Sequence, residues 1–356
     1  MLDKATQIRP GEEFDDSALS AYLEAHWPGF ERLIEKRQFP GGYSNLTYLL
    51  STNLGEYVLR RPPIGANIQT AHDMAREYKV LSLLSPVYDK IPKPVLYCDD
   101  AAVIGAPFFL MERINGIILR GHAVVEIAPT AEEMHALSLA TIDNMVALHQ
   151  IDIRHSRLME LGKPEGYVAR QIGGWIDRYY KSATTVIENM DRVTQWLQLN
   201  EPADGVPALI HNDYKYDNLV LSPDNLAQIE AVLDWEMATI GDPLMDLGTT
   251  LAYWTEPGEA KALPLAAAIP TWLPGNLNRE ELVARYALRS GRDVSNILFY
   301  FVYGTFKVAV IVQQIYARYK KGLTQDPRFA SLIEAVHFFA DQAVRAIETK
   351  QISHLR

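Results

Sequence analysis

The spacing of apolar and polar positions changes once along this chain. In the first third, short runs alternate or are wholly apolar between turn signals. These are RLIEKRQF (32–39), LTYLLST (46–52), EYVLRR (56–61) and APFFLMERI (106–114). Alternation at period two predicts strands, and PGGYSN (40–45) and NLG (53–55) between the first three predict antiparallel turns. Pro62 and Pro63 close the third run, since proline cannot donate to a strand ladder. Two stretches here have helical spacing instead. DDSALSAYLEAHW (15–27) carries Leu19, Tyr22 and Leu23 on one face behind Asp16 or Ser17 as cap. TAHDMAREYKVLSLLS (70–85) repeats apolar side chains at Met74, Tyr78, Leu81 and Leu84.

From about residue 130 the period is helical. The stretches 131–151 and 174–200 each read as one long helix. Strands return briefly at PALIH (207–211), NLVLS (218–222) and AVLDW (231–235), with SPDN (222–225) turning the chain between the last two. Beyond Pro243 the pattern is helical again, broken near Pro257 and Pro274. The fold class expected is α+β: a small antiparallel-sheet lobe, then a larger, mostly helical lobe carrying a short hairpin. The division expected is 1–30 for a tail and helix, 31–112 for the sheet lobe and 113–356 for the helical lobe.

At 356 residues, 48% of them hydrophobic, the chain is long enough for its core to split into two. A net charge of −10 disfavours a nucleic-acid partner, which needs a basic face. The single cysteine, Cys98, follows VLY and reads as a buried thiol, and no internal disulfide is possible. The polar N-terminus lacks the apolar core of a signal peptide, so a cytoplasmic protein is expected. The most apolar stretch, 297–316, contains Lys307 near its centre; a lone lysine is expensive in lipid, so a buried core helix is expected rather than a membrane span.

The polar groups concentrate in HNDYKYDN (211–218), between the apolar runs PALI and LVL. Any one of these residues suits a solvated turn. The combination His211, Asp213 and Asn218, followed by Asp234 at the end of AVLDW, fits a phosphoryl-transfer loop better. Such chemistry needs one carboxylate to orient and deprotonate a hydroxyl, and oxygen ligands to hold Mg²⁺. The spacing matches H-R-D-L-x-x-x-N at three positions. Upstream, Arg60 on EYVLRR and Glu77 on the next helix suit the cation–carboxylate pair that holds nucleotide phosphates, with Arg61 on the opposite strand face. In PGGYSN, Gly41 and Gly42 let backbone N–H groups approach phosphates and Ser44 adds a hydroxyl, although an ordinary hairpin turn explains that stretch equally well. Glu112 and Ile114, where FFLMERI leaves its strand, are positioned to offer backbone groups to a base. Asp242 reads as a helix cap, Asp246 as a brace for the 211–218 loop and His149 as a packing histidine.

These residues, in this order, resemble the aminoglycoside phosphotransferase, or choline-kinase-like, family over about 39–254. GGYSN resembles the family's Gly-Gly-x-Ser-Asn turn, which includes Asn45. YVLRR resembles its strand cation, LMERING its hinge, ALHQID its helix end and HNDYKYDN its H-G-D-x-x-x-x-N loop, with Asn212 where glycine is frequent. LDWE followed by GDPLMDL resembles its metal segment. YVARQIGGWIDRYY and FKVAVIVQQIYARYKKG are most similar to the kinase-like domain fused to some acyl-CoA dehydrogenases. The resemblance implies a protein-kinase-like fold with 31–112 binding nucleotide. It implies ATP and Mg²⁺ as cofactors, Asp213 as base, Lys215 near the γ-phosphate, and Asn218 and Asp234 on the metal. It implies a small hydroxylated acceptor, no nucleic acid or membrane partner, and a monomer or homodimer. Hydroxyacyl thioesters are an alternative acceptor to aminoglycosides, and a non-catalytic nucleotide-binding protein an alternative function. A protein kinase is disfavoured, because D-W-E replaces D-F-G and 234–248 leaves little room for an activation loop. Trp175, Tyr179, Tyr300 and Tyr303, on the helical stretches 174–200 and 280–318, are candidates to line an acceptor cleft, with core packing the commoner fate of such residues.

Overall fold

The computed structural model describes residues 4–40, 45–63, 74–260, 269–324 and 327–355. The chain divides into two units, Met1–Ile117 with Glu230–Glu236, and Ile118–Ile229 with Met237–Arg356. A linear reading does not anticipate that a seven-residue segment from so late in the chain counts with the first unit.

In the first unit, α1 (Asp16–His26) is capped by Asp15, whose carboxylate accepts from the N–H groups of Ser17 and Ala18. The cap lies one residue earlier than the sequence suggests. Strands β1 (Leu33–Gln38), β2 (Leu46–Thr52) and β3 (Gly55–Arg61) follow, then α2 (Met74–Leu84), β4 (Pro94–Cys98), the short α3 (Ala101–Ile104) and β5 (Phe108–Glu112). The sheet is antiparallel in the order β1-β2-β3-β5-β4. One face of it packs Tyr48, Leu50, Leu59, Phe108 and Leu110 against Leu19 and Leu23 of α1. Cys98 is buried in that core. Strand β4 was not expected, because PVLYC is short and opens on a proline.

The second unit opens with the short α4 (His122–Ile127) and continues through α5 (Ala131–His149), α6 (Tyr167–Ser182) and α7 (Glu188–Leu199). A capping box between Thr130 and Glu133 starts α5. The single helix expected over 174–200 is two helices. Thr184, Thr185, Val186 and Ile187 form a run of β-branched residues, which lose side-chain freedom in a helix and favour a break. The break is fastened by Gln313, whose Nε2 donates to the Ser182 carbonyl at 2.8 Å and to Thr184 at 3.2 Å.

Short strands β6 (Ala208–Ile210), β7 (Leu219–Ser222), β8 (Asn225–Val232) and β9 (Thr239–Gly241) follow. β7 and β8 form the expected hairpin, while β6 pairs with β9, a three-residue strand the sequence did not reveal. The expected strand AVLDW ends at Val232; Asp234 has φ 66° and Trp235–Met237 form a 3-10 turn. The chain ends with α8 (Pro243–Tyr253), α9 (Arg279–Ser290), α10 (Ile297–Lys320) and α11 (Leu332–Thr349).

Helix α10 packs on α6, α7, α8 and α11. It is long and apolar enough to cross a membrane, but 78% of its apolar window is buried inside the protein. It approaches α8 closely at two glycines. A Cβ added to Gly304 would lie 2.1 Å from the Gly248 carbonyl oxygen, and one added to Gly248 would lie 2.1 Å from that of Tyr300. Only glycine permits this backbone contact. It carries Lys307, one turn further along α10, into the interior.

Candidate active site

The second unit builds its site on the loop after β6. His211 is fully buried, and its backbone N–H donates to Asp246 Oδ2 at 2.7 Å. The Asn212 N–H donates to Asp246 Oδ1, also at 2.7 Å. Asn212 has φ 68°, a left-handed conformation that asparagine tolerates better than most residues, which accounts for an asparagine where glycine is frequent. Its side-chain Nδ2 donates to the Met237 carbonyl and to the Tyr167 hydroxyl. The Asn212 carbonyl accepts from Lys307 Nζ at 2.8 Å. The Asp213 N–H donates to His211 Nδ1 at 3.2 Å, so His211 braces the loop. Beyond Asp213, Thr250 donates to the Tyr214 carbonyl at 2.8 Å. Side chains from α10 and α8 thus hold the backbone carbonyls of the residues on either side of Asp213.

The Asp213 carboxylate meets Lys215 Nζ at 2.8 and 2.9 Å and Asn218 Nδ2 at 2.9 Å. Asn218 also donates to the Asp213 carbonyl at 2.8 Å, so both of these contacts use its amide nitrogen. Lys215 lies 4.7 Å from the centre of the Tyr253 ring. Burial disfavours the Lys215 charge, but Asp213 and Tyr253 more than offset this and hold its pKa above the ordinary lysine value. Burial, reinforced by Asp213, raises Tyr253. The tyrosines of HNDYKYDN anchor the loop: the Tyr214 hydroxyl donates to the Thr141 carbonyl and accepts from Asn144, and Tyr216 donates to Asn276 at 2.7 Å. Asp217 pairs with Arg120 at 3.3 Å.

Asp246 and Asp242 behave as the sequence suggests. Asp242 caps α8 through the Leu244 N–H at 2.8 Å. Asp246 is fully buried and also meets His149 Nε2 at 3.1 Å, while His149 Nδ1 meets the Tyr286 hydroxyl. Burial opposes the Asp246 charge, yet the contacts with His149 and His211 hold its pKa below the usual carboxylate value. A depressed pKa means stability that is present above the unfolded value and lost as pH falls through the folded one. Asp246→Ala is expected to cost about 3 kcal/mol or more, because two buried N–H groups lose their acceptor. Chemical denaturation near neutral pH checks this, and the variant's deficit should shrink in acid.

In the first unit, the Arg60 guanidinium pairs with Glu77 through Nη1 and with Asp234 through Nη2, the latter at 3.1 Å. Arg61, on the other face of β3, donates to the Ile104 carbonyl at 2.7 Å. One cation therefore serves two carboxylates. Burial pushes the Glu77 carboxyl up to about 7; Arg60 opposes the shift and Asp234 adds to it. Arg60 itself is held above its ordinary value, with burial outweighed by Glu77, Asp234 and Glu236. Asn45 Nδ2 donates to Glu236 Oε2 at 3.0 Å, a partner the sequence did not suggest. Glu112 ends β5 and donates its N–H to the Lys93 carbonyl at 2.9 Å, and Ile114 follows, half-buried. Gly41, Gly42 and Ser44 lie outside the described residues.

The candidate acceptor-lining aromatics are core instead. Trp175, Tyr179, Tyr300 and Tyr303 are at most 6% exposed, and the Tyr300 hydroxyl donates to Asp242. Long apolar helices have to bury their aromatic faces, and here α6 and α10 bury them against neighbouring helices.

The structure thus has an antiparallel-sheet unit followed by a larger, mostly helical one, the protein-kinase-like fold of small-molecule kinases. The phosphotransferase enzyme family model matches residues 35–280, and the chain belongs to that family. It is 35% identical over 325 residues to acyl-CoA dehydrogenase family member 11 of Rattus norvegicus, covering 89% of this chain and 41% of that protein. The chain therefore spans about two fifths of the length of this curated relative. Among solved structures, a protein from Ralstonia eutropha provisionally assigned as an aminoglycoside phosphotransferase superposes with a TM-score of 0.79 at 28% identity, covering 95% of this chain and 99% of that one. Choline kinase from Cryptosporidium parvum gives 0.65 at 14% identity, covering 95% and 98%. A thermostable mutant of aminoglycoside phosphotransferase APH(4)-Ia, in a ternary complex with ADP and hygromycin B, gives 0.59 at 15% identity, covering 92% and 98%. At those last two identities the likeness is one of fold.

Proposed function

We propose that this chain is an ATP- and Mg²⁺-dependent phosphotransferase that moves the γ-phosphate to a hydroxyl of a small molecule. The observation that carries the reading is the Asp213 carboxylate on a backbone held from both sides, with Lys215 and Asn218 bonded to it. Asp213 orients the acceptor hydroxyl and takes up its proton as the oxygen attacks phosphorus. Lys215 offsets negative charge beside the reacting oxygens. In the first unit, Arg60 is the phosphate-binding cation, kept in place by Glu77. Gly41, Gly42, Ser44 and Asn45 belong to the phosphate turn, and Glu112 and Ile114 to the adenine contact. That a fold neighbour was captured with ADP and a small substrate supports nucleotide use.

The donor set suits Mg²⁺. In the second unit Asn218 spends its amide nitrogen on Asp213, which leaves a hard amide oxygen to offer; in the first, Asp234 is the carboxylate that the family pattern assigns to the metal. Among the described residues no three His, Cys, Asp or Glu side chains form a metal cage. Mg²⁺ does not need one, since one or two side chains plus phosphates and water complete its shell. When bound, the metal neutralises charge on the phosphates.

The fold does not choose the acceptor, because neighbours of this fold include a choline kinase as well as aminoglycoside phosphotransferases. The relatives named for acyl-CoA dehydrogenation favour hydroxyacyl thioesters. A panel of hydroxyacyl thioesters, aminoglycosides and choline, incubated with ATP with and without Mg²⁺ and followed by ADP release, tests this. A Mg²⁺-dependent acceptor among the thioesters is expected. Tight nucleotide binding without turnover on any member would instead indicate a non-catalytic nucleotide-binding protein.

A further inference from the structure

Lys307 is buried in α10 among phenylalanines, tyrosines and valines. A core helix gains nothing from a lysine there unless the charge or the donor is used. Its Nζ donates to the carbonyl of Asn212, the residue immediately before Asp213. That carbonyl and the Asp213 N–H are the two ends of one peptide group. The N–H end is held at 3.2 Å by a side chain of the same loop, His211. The carbonyl end is held at 2.8 Å by Lys307, from a helix 95 residues away. The peptide follows a residue at φ 68°, a sparsely populated conformation that persists only where its surroundings enforce it. Rotating this peptide out of place would re-aim the Asp213 side chain.

We propose that Lys307 is a positioning residue for Asp213, fixing the peptide that carries the base through the Asn212 carbonyl. The proposal rests on the phosphotransferase reading above. A neutral donor would satisfy the carbonyl equally well, so the choice of lysine calls for a second reason. The charged groups facing it are Asp246 from α8, Asp213 and Lys215 from the loop, and Arg178 from α6. Lys307 thus places a positive charge in the field of the base. The Trp175 ring, 5.7 Å from Nζ, closes the apolar side. Burial lowers its pKa to about 8, partly offset by Asp246 and Asp213, so this charge is lost as pH rises from neutral.

The test uses the full chain with Mg²⁺-ATP, following transfer to the best acceptor of the panel or, without one, to water. Lys307→Met removes donor and charge at similar volume. It is expected to lower kcat about 10- to 100-fold, the scale of a small misplacement of a catalytic group. KM for ATP should stay within about twofold, a split that a merely structural role would not produce. Lys307→Gln, which can still donate, is expected to recover part of kcat, and its kcat should lose the parent's change between pH 7 and 9. A folded Lys307→Met with parental kcat overturns the proposal, as does equal loss in kcat and in nucleotide affinity. Failure of both variants to fold also overturns it, because it would assign Lys307 to stability. A parent chain that turns over no Mg²⁺-ATP under any condition would fail the phosphotransferase reading itself.

Discussion

Asp213→Asn is expected to lower transfer about 10²- to 10⁴-fold, the usual contribution of a positioned general base. Asparagine keeps the shape of the side chain, removes its charge and basicity, and leaves one acceptor oxygen for Lys215 or Asn218. The loop should hold its conformation, because its backbone contacts come from Asp246, Lys307, His211 and Thr250, not from the Asp213 carboxylate. Alanine would be a poorer probe. It would strip Lys215, a partly buried cation, of both its contacts with the carboxylate. The loss should fall on kcat, with nucleotide affinity near that of the parent by calorimetry. A melting temperature within a few degrees of the parent would show that the fold is retained. Turnover within about threefold of the parent would remove Asp213 from the mechanism.

Arg60→Ala should have the largest effect in the first unit, and on two properties at once. It leaves Glu77, which is 1% exposed, without its counter-charge. Breaking a buried ion pair from one side costs about 3–5 kcal/mol. It also removes the cation assigned to the nucleotide phosphates. Losing one charge-assisted contact, about 1.5–3 kcal/mol, corresponds to a fall in affinity of about 10- to 100-fold. The two effects separate in the double variant Arg60→Met with Glu77→Gln. Replacing both charges removes the buried unpaired carboxylate, so denaturation should show most of the stability recovered. Affinity for Mg²⁺-ATP should remain low. If the double variant binds nucleotide like the parent, Arg60 is a structural cation only.

Local signals account for what the sequence revealed. LTYLLST is bounded by turns and became β2 over the same seven residues. The Asp242–Pro243 pair announced the start of α8, and the loop residues were legible by spacing. What was missed depends on partners far away in the chain. β9 is three residues long and exists by pairing with β6. Nothing near Lys307 says that its amine reaches Asn212, and nothing near Asn45 names Glu236. The break between α6 and α7 was readable in four consecutive β-branched residues, but apolar periodicity on either side outweighed it. The aromatics of α6 and α10 presented no local difference between core and cleft, and packing decided for the core. VLDW is apolar on both sides of Asp234 and so reads as strand throughout, whereas the strand stops two residues earlier.

The most direct test is to incubate the parent chain and Asp213→Asn with γ-labelled ATP, Mg²⁺ and the preferred acceptor, at matched nucleotide occupancy, and to follow the label by mass. The parent is expected to place the labelled phosphate on an alcohol oxygen of the acceptor in step with ADP release, and Asp213→Asn to do so at least about a hundredfold more slowly. Equal label transfer by both proteins, or ATP bound by the parent with no phosphate moved, would contradict the account.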